Sequence, residues 1–142
     1  MTKGLVLLPA ILMMSFVVLG IGLTGLLIVF TLNRSNYAIK LSTNALSVSQ
    51  AGIYDANIKI IRNPNWSPVG CNSSLPLNDG NKTYVLSVGS NNAYVCVEKA
   101  GNKYTVNSLG SVLTQKKQLK AKFDTDNITN QIRLESINEV QF

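Results

Sequence analysis

Residues 5–32 read LVLLPAILMMSFVVLGIGLTGLLIVFTL and hold no charged side chain. A run of roughly 28 apolar residues exceeds the ~20 that a helix needs to cross the hydrocarbon core of a bilayer. A helix suits that role because it satisfies its backbone N–H and C=O groups within the segment. Lys3 precedes the run and Arg34 follows it. The competing interpretation, a buried core helix of a soluble domain, needs a far larger protein around it than 142 residues supply. The run predicts one membrane-spanning helix, and the rest of the chain has to be organised around it.

The helical pattern does not stop at the end of the apolar run. No proline occurs between Pro9 and Pro64. Ala38, Leu41, Ala45, Val48 and Gly52 recur at three- and four-residue steps, and Ile53, Ala56, Ile60 and Ile61 form a second stripe. One helix is expected from about Leu5 to about Arg62, roughly 85 Å at 1.5 Å per residue. Its distal half must then pack on a soluble domain or on neighbours. Asn63-Pro64 ends it, because a residue before proline is pushed out of the α region. Pro9 falls in the first turns, where its missing N–H costs little. Gly20, Gly22 and Gly25 sit in the middle of the apolar half. They offer a smooth surface for another helix, or they are ordinary membrane-helix composition.

Beyond the helix the chain alternates. Residues 65–80 (NWSPVGCNSSLPLNDG) read as loop, and Trp66 is expected to staple the helix end onto a sheet. Residues 83–88, 93–99, 103–109, 118–123 and 132–137 read as strands. Gly89-Ser90-Asn91-Asn92 and Ala100-Gly101-Asn102 read as hairpin turns between the first three. Short turns between consecutive strands imply an antiparallel sheet, so the expected class is α+β, a long helix packed on a small antiparallel sheet. Four segments follow: a short leader at 1–4, a transmembrane half-helix at 5–33, an amphipathic half-helix at 34–63, and a β domain at 64–142.

The formal net charge is +6. Lys116, Lys117, Lys120 and Lys122 form the dense basic cluster. It reads as a solvated strand face, with Leu119, Ala121 and Phe123 alternating inward. Nucleic acid is the disfavoured alternative partner, since no aromatic residue is interleaved on the basic face. Cys71 and Cys96 both lie after the membrane segment, and an even count in an exported domain suggests one disulfide rather than two free thiols. Such a bridge would stabilise by roughly 3 kcal/mol in the chain-entropy model.

No catalytic constellation emerges. The chain has no histidine, which removes the commonest general base and metal ligand. Two cysteines alone build no structural zinc site. Asp124-Thr125-Asp126-Asn127 with Glu135 echoes a calcium loop, but Ile128 stands at a ligand position and Thr129 at the turn glycine. Glycosylation-type triplets begin at Asn72, Asn81 and Asn127 and mark exposed loops. The expectation is no enzyme, no metal and no cofactor.

The layout, an apolar-then-amphipathic helix before a small antiparallel sheet, resembles that of type IV pilins and pseudopilins. Lys3-Gly4-Leu5 is similar to a prepilin peptidase site, a basic residue and a glycine directly before the apolar helix. Gln50-Ala51-Gly52-Ile53-Tyr54-Asp55-Ala56 resembles the A-E-A-G-I-E-x-A segment of minor pilins of the PilX type, and Arg62-Asn63-Pro64-Asn65-Trp66 resembles their helix exit. A Ser-x-Gly turn at Ser108-Leu109-Gly110, followed by the basic strand, fits the same pattern. Major pilins carry Phe and Glu where Leu5 and Pro9 stand, so the likeness is to minor subunits.

The resemblance implies processing between Gly4 and Leu5 and a helix held in the membrane until a filament assembles. The β domain would lie outside the cytoplasm, and in an extracellular filament after assembly. It implies as partners other pilin subunits, a prepilin peptidase, an inner-membrane assembly machinery and membrane lipid. The alternative is a single-pass anchored binding module that never assembles. A simple anchor would need a linker after the membrane, and none is visible between Asn33 and Asn63.

Overall fold

The structure, a computed structural model, describes residues 7–126, 129 and 131–140. A single helix, α1, runs Leu7–Arg62. The chain divides between Ile39 and Lys40 into two units, and the described residues of the first are all helical. Within the first unit Pro9 stands in the opening turn of α1, where an N–H has no intrahelical partner to lose.

The second unit contains the rest of α1 and five strands: β1 (Tyr84–Val88), β2 (Asn91–Ala100), β3 (Lys103–Val112), β4 (Gln115–Thr125) and β5 (Ile132–Val140). They form one sheet in the order β1-β2-β3-β4-β5, and every neighbouring pair is antiparallel. This is the simplest consequence of short connections between consecutive strands. β2 to β5 are longer than the alternation alone predicts, whereas β1 begins one residue later, at Tyr84. Gly89-Ser90 suffices to turn β1 into β2, and Gly101-Asn102 turns β2 into β3. Both glycines have positive φ, 62° and 61°.

Two expectations need correction. Ser108-Leu109-Gly110 is not a turn but lies inside β3, and the chain reverses later, at Leu113-Thr114. Ala38 and Ile61 are exposed, and the two apolar stripes merge into one. Leu41, Ala45, Val48, Gly52, Ile53, Ala56 and Ile60 are all buried. At 100° per residue these positions share one side of the helix, whereas Ile61 points to the opposite side.

That stripe packs on the sheet face carrying Ala93, Val95, Val97, Tyr104, Val106, Val112, Leu119, Ala121 and Phe123. The approach is close because small residues meet at its centre. Ser49 Oγ donates to Ser108 O at 2.6 Å, and Gly52 and Gly110 are both buried there. A Cβ on Gly110 would meet backbone of α1, including Ser49 N at 2.7 Å. Trp66 packs against the same core, with Tyr84, Leu86 and Val88 from β1.

The loop between Asn63 and Thr83 covers the opposite face of β2 and β3. Leu77 packs on Cys96 and Leu109, and Cys71 is joined to Cys96 by a disulfide. Ser73 N donates to Glu98 Oε1 at 2.5 Å, and Ser73 Oγ donates to the same carboxylate. The Asn81 amide is spent inside this loop. Its nitrogen donates to the carbonyls of Asn72, Leu75 and Pro76, while its oxygen accepts from Asn72 N. A chain this polar and without regular structure stays in place through these bonds and the bridge, rather than through a core of its own.

Candidate functional site

The apolar half of α1 is the first candidate surface. Every large apolar side chain from Ile11 to Leu32 is at least half exposed, Phe16 at 72% and Phe30 at 67% among them. The helix is long and apolar enough to cross a membrane. Its polar groups are dealt with internally. Ser15 Oγ donates to Ile11 O at 2.9 Å, Thr24 Oγ1 to Gly20 O and Ile21 O, and Thr31 Oγ1 to Leu27 O and Ile28 O. Each hydroxyl is thus satisfied by its own helix, the condition that hydrocarbon imposes on a lipid-facing surface.

Within this single chain, Gly20, Gly22 and Gly25 touch nothing: a Cβ on any of them would have no atom within 4 Å. They leave three shallow places on the helix wall where another helix can come near. The expected processing site, Gly4 and Leu5, lies outside the described residues.

The basic cluster is split by strand alternation. Lys116, Lys120 and Lys122 lie on the face opposite the buried Leu119, Ala121 and Phe123. Lys117 shares the side of those apolar residues and pairs with Glu139 on β5. Asp124 and Thr125, the start of the calcium-loop echo, are inside β4, and Asn127 and Ile128 are outside the described residues.

A site that the sequence reading missed lies where α1 ends. Lys59, Arg62, Asn63, Trp66, Ser67, Pro68, Val69, Thr83 and Tyr84 surround an open cleft of about 540 Å³. The exit of the helix builds it. Asn63 N donates back to Lys59 O, and Trp66 N to Asn63 O, which turns the chain across the sheet. The Tyr104 hydroxyl then shares its one proton between Pro64 O at 2.7 Å and Trp66 O at 2.9 Å, and Lys99 Nζ donates to Pro64 O at 3.0 Å. These bonds hold the main chain at Trp66, and its indole packs against the core, the ring tilted 47° to Tyr84 at 6.4 Å. The expected stapling role of Trp66 is present, and the same packing makes it one wall of the cleft. The sequence signal was a lone tryptophan just after two cations, Lys59 and Arg62, in the last helical turn.

Electrostatics beside the cleft are set by a compact group. Lys59 Nζ lies 2.8 Å from Asp55 Oδ2 and 3.3 Å from the Tyr84 ring centroid. Burial pushes the Asp55 carboxyl up, but the side chains of Lys59 and Tyr84, with the charges of Lys59 and Arg62, outweigh it and hold it below its ordinary 3.8. Burial, reinforced by the Asp55 carboxylate, pushes the Tyr84 phenol well above its ordinary 10. The hydroxyl sits beside Asp55 without a well-formed hydrogen bond. Asp55 is therefore an ion at neutral pH and Tyr84 is neutral.

Among the described residues no group of three or more His, Cys, Asp or Glu side chains is placed to hold a metal ion. Comparison of the chain with protein-family models, with curated proteins and with solved structures finds no match in any of the three.

Proposed function

We propose that the chain is a structural subunit, of the minor kind, of a type IV pilus or a related pseudopilus. Its α1 helix is held in the membrane before assembly, with the β domain on the outer side, and passes into a filament core when a subunit is recruited. The prepilin peptidase acts between Gly4 and Leu5. Membrane lipid, other pilin subunits and the inner-membrane assembly machinery are its successive partners.

The observation that supports this most is the character of α1. Its apolar half is exposed on all sides and has its hydroxyls self-satisfied, and it is joined to the packed half by uninterrupted helix. A protein that only needs an anchor gains nothing from carrying the spanning helix straight into its domain core. A subunit that must bury the same helix first in lipid and then among other helices requires a surface without a polar break.

Fractionation of cells producing the native protein tests the reading. Filaments sheared from the surface are separated from membranes, and intact mass is measured in each fraction. The reading expects the protein in the sheared material with a chain starting at Leu5. Protein confined to the membrane fraction supports the anchored binding module instead.

A further inference from the structure

The cleft at the end of α1 is lopsided in its hydrogen-bonding groups. Two backbone acceptors of the chain exit are engaged, Pro64 O by Lys99 and Tyr104 and Trp66 O by the same Tyr104 hydroxyl, while the Asn63 amide offers one acceptor and one donor group to the cleft. The nearby carboxylate, Asp55, is tied to Lys59. Thr83 Oγ1 accepts from Val97 N at 3.0 Å. Donors remain unspent: the Arg62 guanidinium, the Trp66 indole N–H and the Ser67 hydroxyl have no hydrogen-bond or ion-pair partner among the described residues. Arg62 thus brings to the recess a positive charge that Asp55, already paired with Lys59, offsets only in part, and donors outnumber acceptors there, so a ligand that fits supplies oxygen acceptors and negative charge.

The apolar part of the recess is equally directional. One face of Tyr84 is occupied by Lys59 at 3.3 Å, which leaves the Trp66 indole, with Pro68 and Val69, as the open apolar wall. A ring lying on that wall keeps its other side in water, because the cleft is shallow and open. This favours a ring with one apolar face and a hydroxylated rim over a wholly apolar one. The volume, about 540 Å³, lies within the range of small-molecule sites and accepts one or two sugar rings.

We propose that this cleft binds an acidic saccharide, with the carboxylate of a uronic-acid residue on Arg62 and the apolar face of its ring against Trp66. The planar guanidinium offers paired donors to a carboxylate, a match that a lysine does not make. Hydroxyls of the sugar take the Ser67 and indole donors. The site lies wholly within the unit that begins at Lys40, so it does not depend on the filament reading.

Trp66 is the only tryptophan in the chain, so its emission reports the cleft without a label. The full chain in detergent micelles is titrated with digalacturonate, with the neutral disaccharide galactobiose and with benzoate. The expected result is a saturable change with digalacturonate and binding at least about tenfold weaker for galactobiose. Arg62→Gln should weaken digalacturonate binding by about tenfold or more, the scale of a lost charge-assisted pair. Ser67→Glu, at an exposed position, should do the same by placing a negative charge in the recess. A linear response to digalacturonate overturns the proposal, as does equal binding of galactobiose. Titration of both variants like the wild type overturns it too. Saturation by benzoate without saturation by digalacturonate also overturns it, in favour of a site for flat aromatic acids.

Discussion

Replacing Gly110 by alanine tests the packing of α1 on the sheet more sharply than any large-to-small change. The new methyl would meet three backbone atoms of α1: Ala45 O, well inside van der Waals contact, Ser49 N at 2.7 Å and Ala45 C at 3.1 Å. Backbone cannot rotate away, so the helix must retreat from β3 by about 1 Å, a gap that forfeits a quarter to a half of each contact's attraction across the seam. The seam carries Leu41, Val48, Ile53 and Ile60, and overpacking of this kind costs about 1–3 kcal/mol, occasionally more. The Ser49 Oγ to Ser108 O bond, now 2.6 Å, is stretched as well and forfeits about 1 kcal/mol. The sum is about 3 kcal/mol, and for a domain of this size it lowers Tm by about 12–24 °C.

The assay is thermal unfolding of the full chain in micelles, followed by Trp66 emission, because Trp66 packs on the same core. Gly52→Ala should lose less. Its methyl meets side chains, Ser108 Oγ and Val95 Cγ2 (2.9 Å), and the serine can turn aside. Gly20→Ala has open space and should leave the transition where it is. A Gly110→Ala midpoint within a few degrees of wild type would refute the close-approach account.

Other expectations rest on separate parts of the molecule. Leu113 turns β3 into β4 at φ 51° with 74% of its surface exposed. Leu113→Gly should therefore raise stability by about 0.5–1 kcal/mol in denaturant titrations, relief of left-handed strain outweighing the added chain entropy. Asp55 has its folded pKa below 3.8, so the ionised form is favoured by folding. That contribution is fully present above the unfolded value and is lost as pH falls through the folded one. Asp55→Asn should be less stable than wild type at neutral pH, and the difference should close below about pH 3.8 in acid-unfolding curves. Val17→Asp puts a carboxylate on a surface 61% exposed and should cost about 2.5–3.5 kcal/mol on insertion scales, read as protein lost from membrane and sheared fractions alike.

Much of the architecture was legible because its signals are long. An uncharged run over 5–32 and a three-four spacing from Leu41 to Ile60 leave one continuous helix as the economical solution. The period-two alternation of Leu119, Ala121 and Phe123 places β4 correctly even among lysines. What was not legible depends on partners far apart in sequence. Ser108 and Gly110 look like turn residues because small residues favour turns. Their smallness here serves α1, whose Ser49 and Gly52 demand a thin strand opposite. Ala38 and Ile61 fit a helical stripe by spacing, yet the first precedes the packed part and the second faces away from it. The cleft at the helix end was invisible for the same reason: Tyr84 lines it from β1, Tyr104 and Lys99 hold the chain exit behind it from β3 and β2, and only the residues from Lys59 to Val69 were near one another in sequence.

Photo-crosslinking from the apolar half of α1 tests the central claim most directly. Benzoylphenylalanine is placed at Phe16, 72% exposed, and irradiated in material sheared from the cell surface. The account predicts covalent pairs whose second partner maps to the apolar helix of another subunit, this chain or a different pilin. Crosslinks to lipid alone, with no protein in the sheared fraction, would contradict it and leave the helix as an anchor.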